Sequence, residues 1–303
     1  MAAWYLAGDI GSEIRRLQES ERWSQERIRS YQLGRLSVLL LHAAESVPYY
    51  RRILRDPAQR IESLDSLKRL PAITKPQIQE DPEQFRSTRA LGRLVAKTTG
   101  GSTGTPVTIW KSRRAMVREL AAAWRGFGWA GVGPGDRQAR FWGVPYTPQD
   151  RRRARLIDWV CNRRRCSAFN FSANDLAFYE RQLVAFRPRY FYGYLSMLVE
   201  FANHFRACSR VPPYDLKCII ATSEVLTAAH RRLLEDVFQT RVFDEYGCGE
   251  LGTVAHECEY GQRHVNDENL IVEVLDGNTP CSEGRVGELV ITELNNLAMP
   301  LIR

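Results

Sequence analysis

The sequence predicts an α/β protein: a layered body with mixed β-sheets and an antiparallel C-terminal portion. Three observations predict it. Apolar, β-branched runs alternate with helical spacing through the middle of the chain, an amphipathic helical stretch precedes them, and two tail segments alternate apolar with polar residues. With 303 residues and 44% hydrophobic content, the chain can bury one large core or two smaller ones.

Along residues 12–46, Ile14, Leu17, Ile28, Leu33, Leu36 and Leu40 recur among charges, so the spacing predicts a helix with Ser12 as its N-cap. Val47-Pro48-Tyr49-Tyr50 interrupts it, a short helix over 64–70 ends at Pro71, and Thr74-Lys75-Pro76 marks a turn. A strand over 94–97 leads into a glycine-rich turn, and a helix over 113–127 follows. Gly131-Val-Gly-Pro-Gly135 is a tight loop, 137–144 a strand, and an arginine-rich helix comes next. Residues 174–186 and 195–207 are helical by spacing. The run 216–221 reads as a strand before a helix over 228–238 and a strand near Val242. The stretches 264–275 and 287–294 alternate as hairpins with one buried face. The chain divides into a helical leader (1–90), an α/β core (91–255) and an antiparallel portion (256–303).

No run approaches the length needed to cross a bilayer, since the best, 36–41, is far too short. The first eleven residues carry Asp9 and lack the basic flank of a signal peptide. A cytoplasmic protein with no membrane partner is expected. Seven scattered cysteines are not a disulfide framework and are expected as thiols; Cys161 and Cys166, five apart in the arginine-rich helix, read as inert, although neighbouring arginines could lower their pKa. The net charge of +8 is concentrated in Arg151, Arg152, Arg153, Arg155, Arg163, Arg164 and Arg165. That segment is either a solvated helix face or a patch for polyanions such as nucleotide phosphates. No zinc-finger spacing or RNA-binding aromatic signature accompanies it, which argues against nucleic acid as a partner.

The strongest local signal is Lys97-Thr98-Thr99-Gly100-Gly101-Ser102-Thr103-Gly104-Thr105-Pro106. Glycines let backbone N–H groups approach a phosphate closely, and hydroxyls add hydrogen bonds to its oxygens. The Gly-Lys-Ser/Thr ending of a Walker loop is absent. Residues 98–106 resemble the phosphate-binding signature of the adenylate-forming superfamily. Further matches follow in order: Val47-Pro48-Tyr49-Tyr50 and Leu70-Pro71-Ala-Ile-Thr-Lys75 resemble the leader of its phenylacetate–CoA ligase branch. Gly193-Tyr194-Leu195-Ser196 resembles that branch's acyl-pocket turn, and Phe243-Asp-Glu-Tyr246-Gly247-Cys-Gly-Glu250 its Tyr-Gly-x-Thr-Glu motif. Gly284-Arg-Val-Gly287-Glu288-Leu289 and the segment 296–303 resemble the stretch before its ribose-binding aspartate.

The resemblance implies the ATP-binding body of a ligase that joins a carboxylic acid to AMP and passes the acyl group to CoA. The alternatives are transfer to an amine, hydroxyl or carrier-protein thiol, and a degenerate nucleotide-binding homologue without catalysis. It implies that Thr98, Thr99, Gly100, Gly101, Ser102, Thr103 and Gly104 hold the ATP β- and γ-phosphates. Tyr246 and Gly247 pack by the adenine, and the backbone of Ser223 and Glu224 lines the nucleotide site. Glu250 binds Mg²⁺, which neutralises charge as pyrophosphate leaves. One departure is Gly249, where the family usually has threonine, so a hydroxyl that helps place phosphate is missing. Trp142, Tyr146, Tyr192, Gly193 and Tyr194 fall where the family builds its acyl pocket; flat side chains suit an aryl or arylalkyl acid, and equally suit a sheet core. Cys258 and His264 bracket a turn and supply two candidate Zn²⁺ ligands, with His256 and Cys281 nearby; a buried thiol and an unrelated histidine is the other reading. A homodimer is a further expectation. In the family the segment ending at Arg303 runs on into the ribose-binding motif and a mobile domain of roughly a hundred residues carrying a lysine. The 303 residues alone are therefore expected to bind ATP weakly and turn over poorly.

Overall fold

The computed structural model describes residues 10–54, 62–89, 92–98, 106–143, 148–168 and 171–303. In chain order its strands are β1 (Leu94–Thr98), β2 (Thr108–Ser112), β3 (Gln138–Trp142), β4 (Arg163–Ser167), β5 (Tyr190–Tyr194) and β6 (Cys218–Thr222). They continue with β7 (Val242–Cys248), β8 (Gly252–Glu257), β9 (Arg263–Val265), β10 (Leu270–Asp276), β11 (Thr279–Pro280) and β12 (Glu288–Glu293). The described residues fall into two units, a sheet unit (123–248 and 253–264) and a leader unit (10–122, 249–252 and 265–303).

The sheet unit is built on the order β4-β3-β5-β6-β7-β8-β9, in which β4, β3, β5, β6 and β7 are parallel neighbours. Strand periodicity sends Phe141, Phe191, Ile219 and Ala221 to one face, where they meet Leu198, Phe201, Phe205 and Phe238 from the helices Leu195–Ala207 and Ala228–Phe238. Burying each such side chain contributes about 1.5–3 kcal/mol, so this aromatic layer is the main stabilising feature of the unit. The opposite face gathers Tyr190, Ile220 and Phe243 under Phe127. Ser172 and Thr227 cap the two helices that begin after them, each side-chain oxygen accepting a backbone N–H from three residues on.

The leader unit begins with helices Ile10–Ser20 and Gln25–Ser46. The single helix expected over 12–46 is thus broken at 21–24, because the Ser24 hydroxyl accepts from Arg27 N and starts a new helix there. Leu36, Leu39, Ala43, Val47 and Tyr50 pack with Leu294 and Ile302, and the Tyr50 hydroxyl accepts from Ile302 N at 2.9 Å. Pro48 opens a further helix, Pro48–Ile53, where the sequence had read only an interruption. Antiparallel β1–β2 forms a hairpin, and β10 lies between β11 and β12.

Five strands escape the sequence reading: β2, β4, β5, β8 and β11. Residues 190–194 form a strand of the main sheet, so Gly193 and Tyr194 are strand residues rather than a turn. The arginine-rich stretch is not one helix; Arg163, Arg164 and Arg165 belong to β4, with Cys166 buried between exposed and half-buried neighbours. Burial pushes the Cys166 thiol well up, outweighing Arg164, in keeping with an inert thiol. Among the described residues no helix is long and apolar enough to cross a membrane.

Candidate functional site

In the sheet unit the candidate residues lie at the carboxyl ends of the parallel strands, where open α/β sheets bind ligands. Strand β6 ends at Thr222, and Ser223 follows with φ of 72°. A serine in that left-handed region costs on the order of 1–3 kcal/mol and persists only where its surroundings hold it. The holding group is the next residue: the Glu224 carboxylate accepts from Ser196 N at 3.0 Å and from Ser196 Oγ at 2.7 Å. Glu224 thus spends its side chain on the first turn of the helix Leu195–Ala207, which fixes the Ser223–Glu224 backbone beside the ends of β5 and β6. One strand over, Tyr246 of β7 is 47% exposed and Gly247 follows it. Beneath them Glu245 is buried and accepts from Thr253 Oγ1.

The aromatic candidates sit on neighbouring strands of the same unit. Trp142 at the end of β3 lies 4.4 Å from the Tyr194 ring and 5.5 Å from the Tyr192 ring, the latter at an interplanar angle of 23°. Gly193 pairs with Phe141 in register, and a Cβ there would collide with the Phe141 carbonyl. The glycine is required for close approach of β5 to β3, a structural duty, while Trp142, Tyr192 and Tyr194 form one stacked array. Tyr146 lies outside the described residues.

In the leader unit, Thr98 closes β1 and its Oγ1 is 3.0 Å from Thr108 Oγ1 across the hairpin. Thr99, Gly100, Gly101, Ser102, Thr103 and Gly104 lie outside the described residues. Because Thr98 pairs with Thr108, a second strand stands between the glycine-rich segment and the helix Arg113–Trp129. That hairpin is pinned by charge: Lys97 Nζ donates to Glu119 at 2.5 Å, and the fully buried Lys111 donates to Glu119 at 2.9 Å and Glu293 at 2.8 Å. Burial alone would push Lys111 down, but Glu293 and Glu119 outweigh it and hold its pKa at about 12. The Glu293 carboxyl is pushed up by burial, opposed by Lys111. Glu250 pairs with Lys75 at 2.8 Å, its side chain only 14% exposed. A shielded carboxylate already facing one cation has the oxygen donor chemistry that suits Mg²⁺.

The zinc expectation gains no support here. Among the described residues no group of three or more His, Cys, Asp or Glu gathers to hold a metal. Cys258 is buried, its backbone N–H bonded to Gln262 O in a turn, while the His264 ring lies edge-on to Trp129 at 5.4 Å. His256 lies between Phe127 and Trp129 with Nδ1 at 2.8 Å from Glu257 O, and burial lowers its pKa despite the neighbouring Glu245 and Glu257.

Two side chains of consequence were not singled out from sequence. Lys75 was read only as part of a turn motif. Arg140, on β3 among the aromatic candidates, stands 4.8 Å from the Trp142 ring centroid and 5.3 Å from that of Tyr192. Its signal was available: an arginine alternating with Gln138 and Trp142 on one face of a strand whose other face is apolar.

No family profile matches the chain. It is 26% identical over 302 residues to a phenylacetate–coenzyme A ligase of Thermus thermophilus, covering 94% of this chain and 66% of the relative. The CapK protein of Staphylococcus aureus is 23% identical over 244 residues, 78% of this chain and 52% of that protein. Among solved structures, a 2-hydroxyisobutyryl-CoA ligase in the postadenylation state, in complex with R3-HIB-AMP, superposes with a TM-score of 0.72 at 21% identity, over 93% of this chain and 62% of that one. The chain therefore spans between about half and two thirds of the length of these relatives, and the structural likeness shows the mixed α/β fold.

Proposed function

We propose that this chain, which resembles the phenylacetate–CoA ligases of the adenylate-forming superfamily, takes part in activating a carboxylic acid as an acyl-adenylate, with CoA as the acceptor. One observation carries the reading: at the carboxyl ends of β6 and β7, a serine in left-handed conformation is fixed by Glu224 next to the strand that carries the exposed Tyr246. Tyr246 offers a ring face for adenine, and the Ser223–Glu224 backbone offers polar groups for the nucleotide. The segment 98–104 would cradle the β- and γ-phosphates. Glu250 would hold Mg²⁺, which supplies charge neutralisation as pyrophosphate departs.

No protein nucleophile is needed. A carboxylate oxygen of the acid attacks the α-phosphorus, the α–β anhydride bond breaks, and pyrophosphate leaves. The CoA thiol then attacks the acyl carbon and AMP departs with the oxygen it gained. The chain's residues contribute orientation and electrostatics. The Trp142, Tyr192 and Tyr194 array supports an aryl or arylalkyl acid, and the phenylacetate–CoA ligases among its relatives point the same way. The test is pyrophosphate exchange into ATP by the full-length protein with a panel of aryl, arylalkyl and aliphatic acids. Exchange that depends on an aromatic acid is expected; ATP binding without exchange for any acid would leave only a nucleotide-binding homologue.

A further inference from the structure

The aromatic array contains a cation. The Arg140 guanidinium lies over the rings of Trp142 and Tyr192, and among the described residues its buried Nε finds no hydrogen-bond partner. The nearby acid is already engaged: Asp158 takes Arg165 in a two-point pair, Oδ2 from Nε at 2.9 Å and Oδ1 from Nη2 at 3.0 Å. Arg165 is the register neighbour of Arg140 across β3–β4, and Arg163 stands two residues along the same strand. Burial first, then Arg163 and Arg165, push Arg140 down to about 10, with Tyr192 and Asp158 opposing. Among the described residues no carboxylate pairs with Arg140. Two ring contacts return less than withdrawing a guanidinium from water costs. The balance is unfavourable unless something else brings negative charge.

We propose that Arg140 is a specificity-determining residue that receives a second anionic group on the acid, so that the substrate class is an aromatic acid bearing a further carboxylate in addition to the one that is activated. This rests on the acid-activating reading above. The rings of Trp142, Tyr192 and Tyr194 take the flat body of such an acid. Arg140, over two of these rings and flanked by Arg163 and Arg165, takes the distal carboxylate through its planar fork.

The experiment measures kcat/KM in pyrophosphate exchange by the full-length protein for phenylacetate and for its ortho-, meta- and para-carboxy derivatives. At least one diacid is expected to be preferred tenfold or more, the scale of a charge-assisted hydrogen bond. Arg140→Met should abolish the preference while leaving exchange with phenylacetate measurable, and Arg140→Lys should keep part of it. Melting curves of both variants report folding, and Arg140→Lys carries the test if Arg140→Met does not fold. Equal use of mono- and diacids, or a diacid preference that persists in Arg140→Met, overturns the proposal and leaves the adenylation reading intact. Absence of exchange with every acid, mono or di, overturns both.

Discussion

Glu224, exposed, and His256, buried, show how a single polar group is assigned. Glu224 satisfies two donors of Ser196, so its carboxylate is committed to holding backbone in place and only the main chain remains for a ligand. His256 is 1% exposed between aromatic rings, its Nε2 without a partner among the described residues and its pKa lowered by burial from the usual 6.5. The sign follows from linkage. A histidine harder to protonate folded than unfolded is neutral in both states above the unfolded value, and folding loses stability as pH falls below it. Between about pH 7 and 5 the protein is expected to lose up to ~1.4 kcal/mol per pH unit that a His256→Gln variant does not lose. Denaturant titrations across that range check it; parallel stability curves for the two proteins would contradict it. From sequence, His256 was only a stand-in zinc ligand, because spacing shows that a histidine is near a cysteine but not that Phe127 and Trp129 enclose it.

The β1–β2 hairpin is the element on which the glycine-rich segment is mounted, and its anchorage is ionic. Lys111 has no exposed side-chain surface and binds Glu119 and Glu293, while Lys97 takes the other oxygen of Glu119. Breaking such a group from one side leaves buried carboxylates uncompensated, so Lys111→Met is expected to destabilise the protein by about 3–5 kcal/mol. Adding Glu293→Gln to that variant should restore part of the loss, since it removes one stranded charge. Urea unfolding measures both, and a loss under about 1 kcal/mol for Lys111→Met would mean the network carries little energy. Because the raised Lys111 value lies near 12 against 10.5 unfolded, its stabilisation is fully present below 10.5 and fades only as pH rises through about 12.

Elements differ in how far the sequence exposed them. The helix Ala228–Phe238 was legible to the residue, since Thr227 caps it and its apolar spacing is regular. β5 was not: Tyr190-Phe-Tyr-Gly-Tyr194 reads as pocket-lining aromatics, and only the collision of a Cβ at Gly193 with Phe141 reveals it as a strand pressed against its neighbour. β4 was hidden by its charges, since three arginines in a row mask the alternation that buries Cys166. The helix break at 21–24 depends on one hydroxyl, Ser24, against an apolar period that continues on both sides.

At the scale of the whole molecule, each unit is assembled from separated stretches of sequence. Order along the chain therefore carried the motif reading well, while spatial grouping came only from the fold. The motif order pointed to the family of the phenylacetate–CoA ligases that the chain resembles, and the ends of β6 and β7 hold residues that order nominated. It missed Arg140 and the engagement of Glu250 by Lys75, because both depend on partners far apart in sequence or on the opposite neighbour in a sheet. The claim on which the rest depends is that the acid's own oxygen becomes bonded to the α-phosphorus. It is tested by supplying the full-length protein with ATP, CoA and an aromatic acid labelled with ¹⁸O in its carboxylate, then weighing the nucleotide products. One ¹⁸O in AMP and none in pyrophosphate is the predicted result. Label in inorganic phosphate beside ADP, or a nucleotide pool with no label at all, would contradict the account.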